Sequence, residues 1–329
     1  MKRLTPRERK PAYNRAQGRP VRPPAHTLRV FSAVSAKRKR TEKTRKPVST
    51  KALCRHAVTL LLAGIFFLLL GAEVWRSTQC IEITNYTVTS DAVQNDMTLV
   101  LLTDLHHHVF GRGQSRLLDA VRDCKPDAIL IAGDMFTYWD QNIDGTLYLV
   151  RELAKIAPVY YGYGNHEERY IQNTMADLYA ELTAAGAVVL ELSYIDTEIA
   201  GNPVRIGGSC GYLMPQFGVQ HRFMRDFEYT ERTTLLLAHR PEAFLSWGGM
   251  QRYHADYIFS GHLHGGQARL FGRGLFTPES GLFPQITDGM HEGFETTLFL
   301  SRGLGGSNLV PRFFNRPELV CVQFAGTLP

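Results

Sequence analysis

Five short clusters of Asp, Asn and His punctuate the middle of this 329-residue chain. They are Asp104-Leu105-His106, Gly133-Asp134, Gly164-Asn165-His166-Glu167, His239, and Gly261-His262-Leu263-His264. Each follows directly on an apolar run: MTLVLLT (97–103), DAILIA (127–132), PVYYGY (158–163), TTLLLA (233–238) and YIFS (257–260). One Asp or His at the end of such a run is ordinarily a satisfied cap. Five in succession, three of them beside glycine, point to a shared task. These residues offer oxygen and nitrogen donors, and no cysteine joins them. The set suits Mn, Fe, Zn or Co better than a thiolate-bound structural zinc. Seven candidate ligands exceed what one tetrahedral ion accepts. Two ions sharing a carboxylate account for the number, and such a pair clamps the attacking and leaving oxygens of a phosphoryl group.

The apolar runs read as buried strands, and helical patterns at 114–123, 145–156 and 170–185 separate them. A strand pair around 81–89 and strands at 188–192, 194–200, 203–207 and 297–301 complete the set. Long apolar strands alternating with helices predict an α/β fold with a sheet covered on both faces. The short strands after 186 predict a second, more mixed sheet. In open α/β sheets the carboxyl ends of the strands form the ligand crevice, so the five clusters should converge there.

The succession D-x-H, G-D, G-N-H-E, a lone His and G-H-x-H, in this order and strand context over 97–266, resembles the calcineurin-like metallophosphoesterase superfamily. The wordings AHRPE, GHLHGGQ, SRGLGG and RFFNRPE resemble more narrowly its bacterial membrane-associated branch, through about residue 323. The resemblance implies a four-layer α-β-β-α sandwich of two mixed sheets with a dinuclear metal site at strand ends. It implies one divalent ion on Asp104, His106, Asp134 and His264, and a second on Asp134, Asn165, His239 and His262. Asp134 would bridge them together with a hydroxide that attacks phosphorus in line. His166 matches the position that contacts the phosphate and protonates the leaving oxygen, and Glu167 would orient its neighbours. His107 and His108 extend the first motif without an assigned task. Arg240, Arg302 and Arg312 could hold a phosphate, although structural roles suit them better.

The charge is unevenly spread. Residues 1–56 hold 18 basic residues against Glu8 and Glu42, a net +16, while the remainder carries a net −10. A proline-dotted basic segment without a core-forming face is expected to be a disordered arm. Its run Lys37-Arg38-Lys39-Arg40 fits a topology signal better than nucleic-acid binding, and anionic lipid is the other partner it suits. The uncharged run 57–72 follows, flanked by Glu73 and Trp75. Residues 57–75 are expected to form one transmembrane signal anchor, with the arm cytoplasmic and the 76–329 catalytic domain outside.

Five cysteines without a CxxC give neither a zinc knuckle nor a disulfide framework. No GxxxxGK[ST] loop is present, which excludes a P-loop ATPase. Gly207–Gly211 fits G-x-S-x-G, but no helical run follows and a glycine-rich turn suits it better. The expected function is a membrane-anchored, dinuclear-metal phosphoesterase or phosphodiesterase acting on a phosphorylated small molecule or a lipid-linked substrate. A pyrophosphatase of the UDP-2,3-diacylglucosamine type and a non-catalytic membrane scaffold with a basic arm are the alternatives.

Overall fold

The apolar runs that end in candidate ligands are all strands, and their even burial on both faces explains why they lack polar alternation. The computed structural model describes residues 49–209, 218–245, 249–277, 280–293, 295–306 and 311–326. Along the first half run β1 (Glu82–Thr89), β2 (Met97–Leu102), β3 (Ala128–Ala132), β4 (Val159–Gly162) and β5 (Ala187–Leu190). They form a mixed six-stranded sheet with the C-terminal strand Glu318–Ala325, in the order β1, Glu318–Ala325, β2, β3, β4, β5. The C-terminal strand runs parallel to β1 and antiparallel to β2, while β2 to β5 are mutually parallel.

The second mixed sheet also has six strands. It contains β6 (Ser193–Ile199), β7 (Asn202–Gly208), β8 (Thr233–Leu237) and β9 (Tyr257–Ser260), followed outward by Thr296–Leu300 and Gly289–Gly293. The inner faces of the sheets share one core that includes Leu99, Leu101 and Leu130 from the first and Ile206, Leu235 and Phe259 from the second. Helices α2 (Ser115–Asp123), α3 (Asp144–Leu153), α4 (Asn165–Thr174) and α5 (Leu178–Ala184) cover the outer face of the first sheet. Helix α6 (Gly218–Glu228) packs Phe223, Met224 and Phe227 on the outer face of the second. This is the four-layer α-β-β-α sandwich that the resemblance implies.

Three sequence expectations need correction. The helix expected over 170–185 is two helices. Met175 adopts a left-handed conformation (φ 57°) that closes α4, and the Asp177 carboxylate caps α5 by accepting from Ala180 N–H at 3.0 Å. The expected strand pair around 81–89 is a single strand, and its partner is the distant Glu318–Ala325. Local pattern cannot reveal a pairing across more than two hundred residues. The strand expected at 188–192 spans Ala187–Leu190 and closes the first sheet rather than opening the second.

Ahead of β1 lies α1 (Thr50–Gln79), whose 30 residues extend about 45 Å at 1.5 Å per residue. It is long and apolar enough to cross a membrane, and its most hydrophobic stretch is unburied by the rest of the protein. The helix overruns the expected 57–75 span at both ends. Residues 1–48, which hold most of the basic arm, and Cys210-Gly211 of the G-x-S-x-G pattern lie outside the described residues.

Candidate metal centre

Strands β2, β3 and β9 end by turning sharply, and the turns carry candidate ligands. Asp104 (φ 54°), His106 (φ 48°), Asp134 (φ 54°), His262 (φ 73°) and His264 (φ 49°) all have left-handed backbones. Such a conformation costs a non-glycine residue about 1–3 kcal/mol and persists only where surroundings enforce it. Glycines give the turns room. A Cβ on Gly164 would lie 2.3 Å from Asp134 Oδ1, and one on Gly261 would lie 2.2 Å from Asp104 Oδ2.

All five clusters converge. His239 Nε2 lies 3.1 Å from Asp134 Oδ2, His106 Nε2 lies 3.9 Å from both Asp104 Oδ1 and Asp134 Oδ2, and His264 Nε2 lies 3.7 Å from Asp104 Oδ1. The imidazoles of His239 and His262 stand 5.1 Å apart, and those of His106 and His264 stand 5.0 Å apart. Asn165 opens α4, beside His166, whose backbone N–H donates to Asp134 Oδ1 at 2.8 Å. Donor atoms of Asp104, His106 and His264 fall within 4.8 Å of one another, as do those of Asp134, His239 and His262.

This arrangement fits divalent cations. Separations of 3.7–3.9 Å are too long for hydrogen bonds, yet one ion with bonds of about 2.0–2.2 Å would touch both partners. His106 Nε2, His264 Nδ1 and Asn165 Oδ1 are buried without a hydrogen-bond partner. Buried polar atoms left so are costly unless something else satisfies them. His239 Nδ1 lies 2.7 Å from the Ala132 carbonyl, which can only accept. The Nδ1 proton is therefore fixed there, and Nε2 is the ring atom that faces Asp134.

The electrostatics are consistent with two carboxylates awaiting cations. Burial opposes charge on Asp104, but the His264 and His239 imidazoles hold it below the usual carboxylate range. Asp134 is held further below, again against burial, chiefly by His239. Burial likewise disfavours charge on His239, yet Asp134 and Asp104 outweigh it and push the imidazole up to about 10. For His106 and His264 burial dominates, and they fall to about 3 and about 4.

Glu167 supports the centre from beneath. Its buried carboxylate accepts from the N–H groups of Asp134 (2.8 Å), Met135 (3.0 Å) and Gly164 (2.9 Å) and from the Tyr161 hydroxyl (2.8 Å). It thereby ties the turn after β3 to the turn after β4. Burial and the Asp134 charge push it up to about 7, while these donors favour its anion. Sequence reasoning missed the Thr103 hydroxyl, which donates to Asp104 Oδ2 at 2.9 Å, and Glu242, whose Oε1 lies 3.8 Å from His262 Nε2. The polar last residue of a buried strand and the acid in AHRPE were the available signals.

The remaining candidates lie elsewhere. His107 Nε2 is 3.9 Å from Asp140, and His108 faces Gln79 at 3.1 Å. Arg302 pairs with Glu82 and Glu318, and Arg312 donates to the carbonyls of Arg302, Gly303 and Gly305. These arginines clamp the SRGLGG loop, whose Gly305 N–H donates to the Asp104 carbonyl at 2.6 Å. Arg240 lies 3.6 Å from Glu242.

The family model described as calcineurin-like phosphoesterase matches residues 97–266, just over half of the chain. The chain belongs to this family. Among relatives, it is 24% identical to the uncharacterized metallophosphoesterase YkoQ of Bacillus subtilis over 81% of this chain and 98% of that protein. An uncharacterized metallophosphoesterase of Campylobacter jejuni is 26% identical over 82% of this chain and 69% of its own length. Phosphodiesterase YaeI of Escherichia coli is 28% identical over 68% and 81% respectively. The protein is a metal-dependent phosphohydrolase.

Two predictions follow from the geometry of this phosphoesterase. Glu167→Gln replaces an acceptor with an amide N–H facing donors, and should lower unfolding free energy by about 2–3 kcal/mol in urea titrations with metal present. Unchanged stability would contradict the clamp. Metal uptake should also release a proton. Since His239 is charged below about pH 10, cation binding at neutral pH displaces that proton, whereas His106 and His264 are already neutral. Affinity should therefore rise with pH, with about one proton released per His239 site when calorimetry is repeated in buffers of different ionisation enthalpy.

Proposed function

We propose that this protein is a membrane-anchored phosphodiesterase with two divalent ions, the first on Asp104, His106, Asp134 and His264, the second on Asp134, Asn165, His239 and His262. The observation that carries the reading is the position of Asp134 Oδ2, which lies 3.1 Å from His239 and 3.9 Å from His106 and so stands between the two donor groups. Bound ions would supply Lewis-acid polarisation of the phosphoryl oxygens and ionise water near neutral pH. Mn, Fe, Zn and Co all suit these donors. The name of the E. coli relative supports diesters over monoesters.

His166 acts toward the substrate. Its Nδ1 accepts the Tyr138 N–H at 3.1 Å, so in the neutral ring the proton sits on Nε2, 4.0 Å from Asp134 Oδ2 and facing the centre. Burial lowers its pKa despite the nearby Asp134 charge. The neutral Nε2–H tautomer is a fixed donor to a phosphoryl oxygen, and this geometry favours hydrogen bonding over proton donation in the resting enzyme. Tyr138 and Trp139 flank the ring at 5.2 and 5.4 Å and hold its plane.

Anchoring rests on α1, whose apolar stretch no part of the body covers, and on the 18 basic residues of 1–56, which favour a cytoplasmic arm and an extracytoplasmic catalytic body. A purely scaffolding role fits poorly, since it has no use for buried donor atoms lacking partners.

Asp134→Ala should abolish hydrolysis of an aryl phosphodiester and strip both ions, as measured by elemental analysis. Retention of two ions with activity would refute the bridge. His166→Ala should keep the ions but reduce turnover about 10²–10³-fold, the usual cost of one donor to a developing anion. His166→Gln, which retains an N–H donor, should recover part of that loss.

A further inference from the structure

The segment that follows the last ligand, His264, carries large apolar side chains outward. Residues Arg269–Leu270 pair with Arg273–Gly274, and Phe276–Thr277 pair with Gly281–Leu282, forming two short antiparallel ribbons. Phe271 is 96% exposed, Leu282 73% and Phe283 68%, and Leu270 and Phe276 are also exposed. A run of this kind is costly in water and marks an interaction surface. Its base is rigid: Leu275 N–H donates to the Ala268 carbonyl at 2.8 Å, and Arg269 pairs with Asp288 at 2.6 Å.

The contacts at this base indicate what covers it. Arg269 N–H donates to the Phe313 carbonyl at 2.9 Å, and the next residue, exposed Phe314, donates its N–H to Glu73 Oε1 at 3.0 Å. Glu73 is the first charged residue after the uncharged run 57–72 of α1. Ser77 Oγ accepts from Asn315 N–H, whose side-chain amide reaches the His264 and Gln267 carbonyls at 2.8 and 3.0 Å. Arg316 donates to the Cys80 and Ile81 carbonyls just past the helix. The point where α1 leaves its apolar stretch is thus joined, through three successive residues, to the root of the ribbons. Exposed Trp75 and Arg76 lie at this level, and exposed Arg273 rises within the ribbon, a mixture of aromatic and basic groups suited to lipid headgroups.

We propose that the described parts of these ribbons, residues 270–277 and 280–283, dip into the surface of the bilayer that α1 crosses, seating Phe271, Leu282 and Phe283 among lipid acyl chains. The inference rests on the anchor reading above. The enzyme would then be held at two points, a helix through the membrane and a ribbon on its surface, with the metal centre fixed close to the headgroups. Phe283 also borders a cavity of about 420 Å³ that reaches Glu242, the neighbour of His262. Lipid gathered at the ribbon would therefore lie at the mouth of a space leading toward the ligands.

The test uses the full chain reconstituted in vesicles of phosphatidylethanolamine and phosphatidylglycerol. A benzophenone amino acid is placed singly at position 271, 283, 68 or 229 and irradiated. Position 68 lies inside the apolar stretch of α1, whereas Tyr229 precedes β8, at the sheet end opposite the ligands. Lipid adducts at 271 and 283 should exceed those at 229 several-fold and approach the yield at 68. Adducts at 68 with only background at 271 and 283 would overturn the inference and leave the anchor intact. Background at 68 would overturn the anchor reading and the inference with it.

Discussion

Burying anionic oxygen in a cluster of imidazoles is the constraint on which this molecule turns. Asp104, Asp134 and Glu167 are all nearly or wholly inaccessible, and five imidazoles crowd the same few ångströms. Without cations, the charge is offset only by protons, which His239 holds tightly and His106 and His264 do not. Uncompensated buried charge is among the most expensive features a fold can carry. The surrounding elements accordingly hold this site against its tendency to relax. Glu167 gathers three N–H donors from two loops and the Tyr161 hydroxyl from β4, and the arginine-clamped SRGLGG loop closes over Asp104.

Strain follows from the same constraint. β2 ends at Leu102 and β9 at Ser260, so the candidate ligands Asp104, His106, His262 and His264 are aimed by their turns rather than by the alternation of an extended strand. The left-handed turns at five ligand positions re-aim them, and the glycines at 133, 164 and 261 leave space that a Cβ would fill. The broad sandwich of two sheets, with one shared core and helices outside, supplies the stability that this concentration of strain and charge consumes.

How much was legible in the sequence divides along a physical line. The ligand clusters stood out because each lies next to a long apolar strand, so local pattern located them and sheet topology brought them together. The support was less visible. Glu167 could be given an orienting role only by resemblance, and its four partners come from residues as far apart as Asp134 and Gly164. Thr103 reads as the end of a strand, and Glu242 enters only within the wording AHRPE. The C-terminal strand escaped notice because its partners, β1 and β2, lie over two hundred residues away. The break at Met175 escaped because nothing in the local sequence of a methionine demands a left-handed backbone.

The arginines show why residue type alone misleads near a phosphate site. Arg302 and Arg312 have the forked donors that recognise phosphate, yet Arg302 Nη2 pairs with Glu82 and Glu318, and Arg312 donates to carbonyls of the SRGLGG loop. On the function proposed above, recognition of an anionic substrate would rest on the bound ions and on donors such as His166. A centre organised this way is well matched to the phosphoryl group, which varies little, and makes few demands on what the group is attached to. Selectivity would then come from the surfaces around the centre, among them the apolar ribbons bearing Phe271 and Phe283 and the mixed polar and apolar cavity beside Glu242.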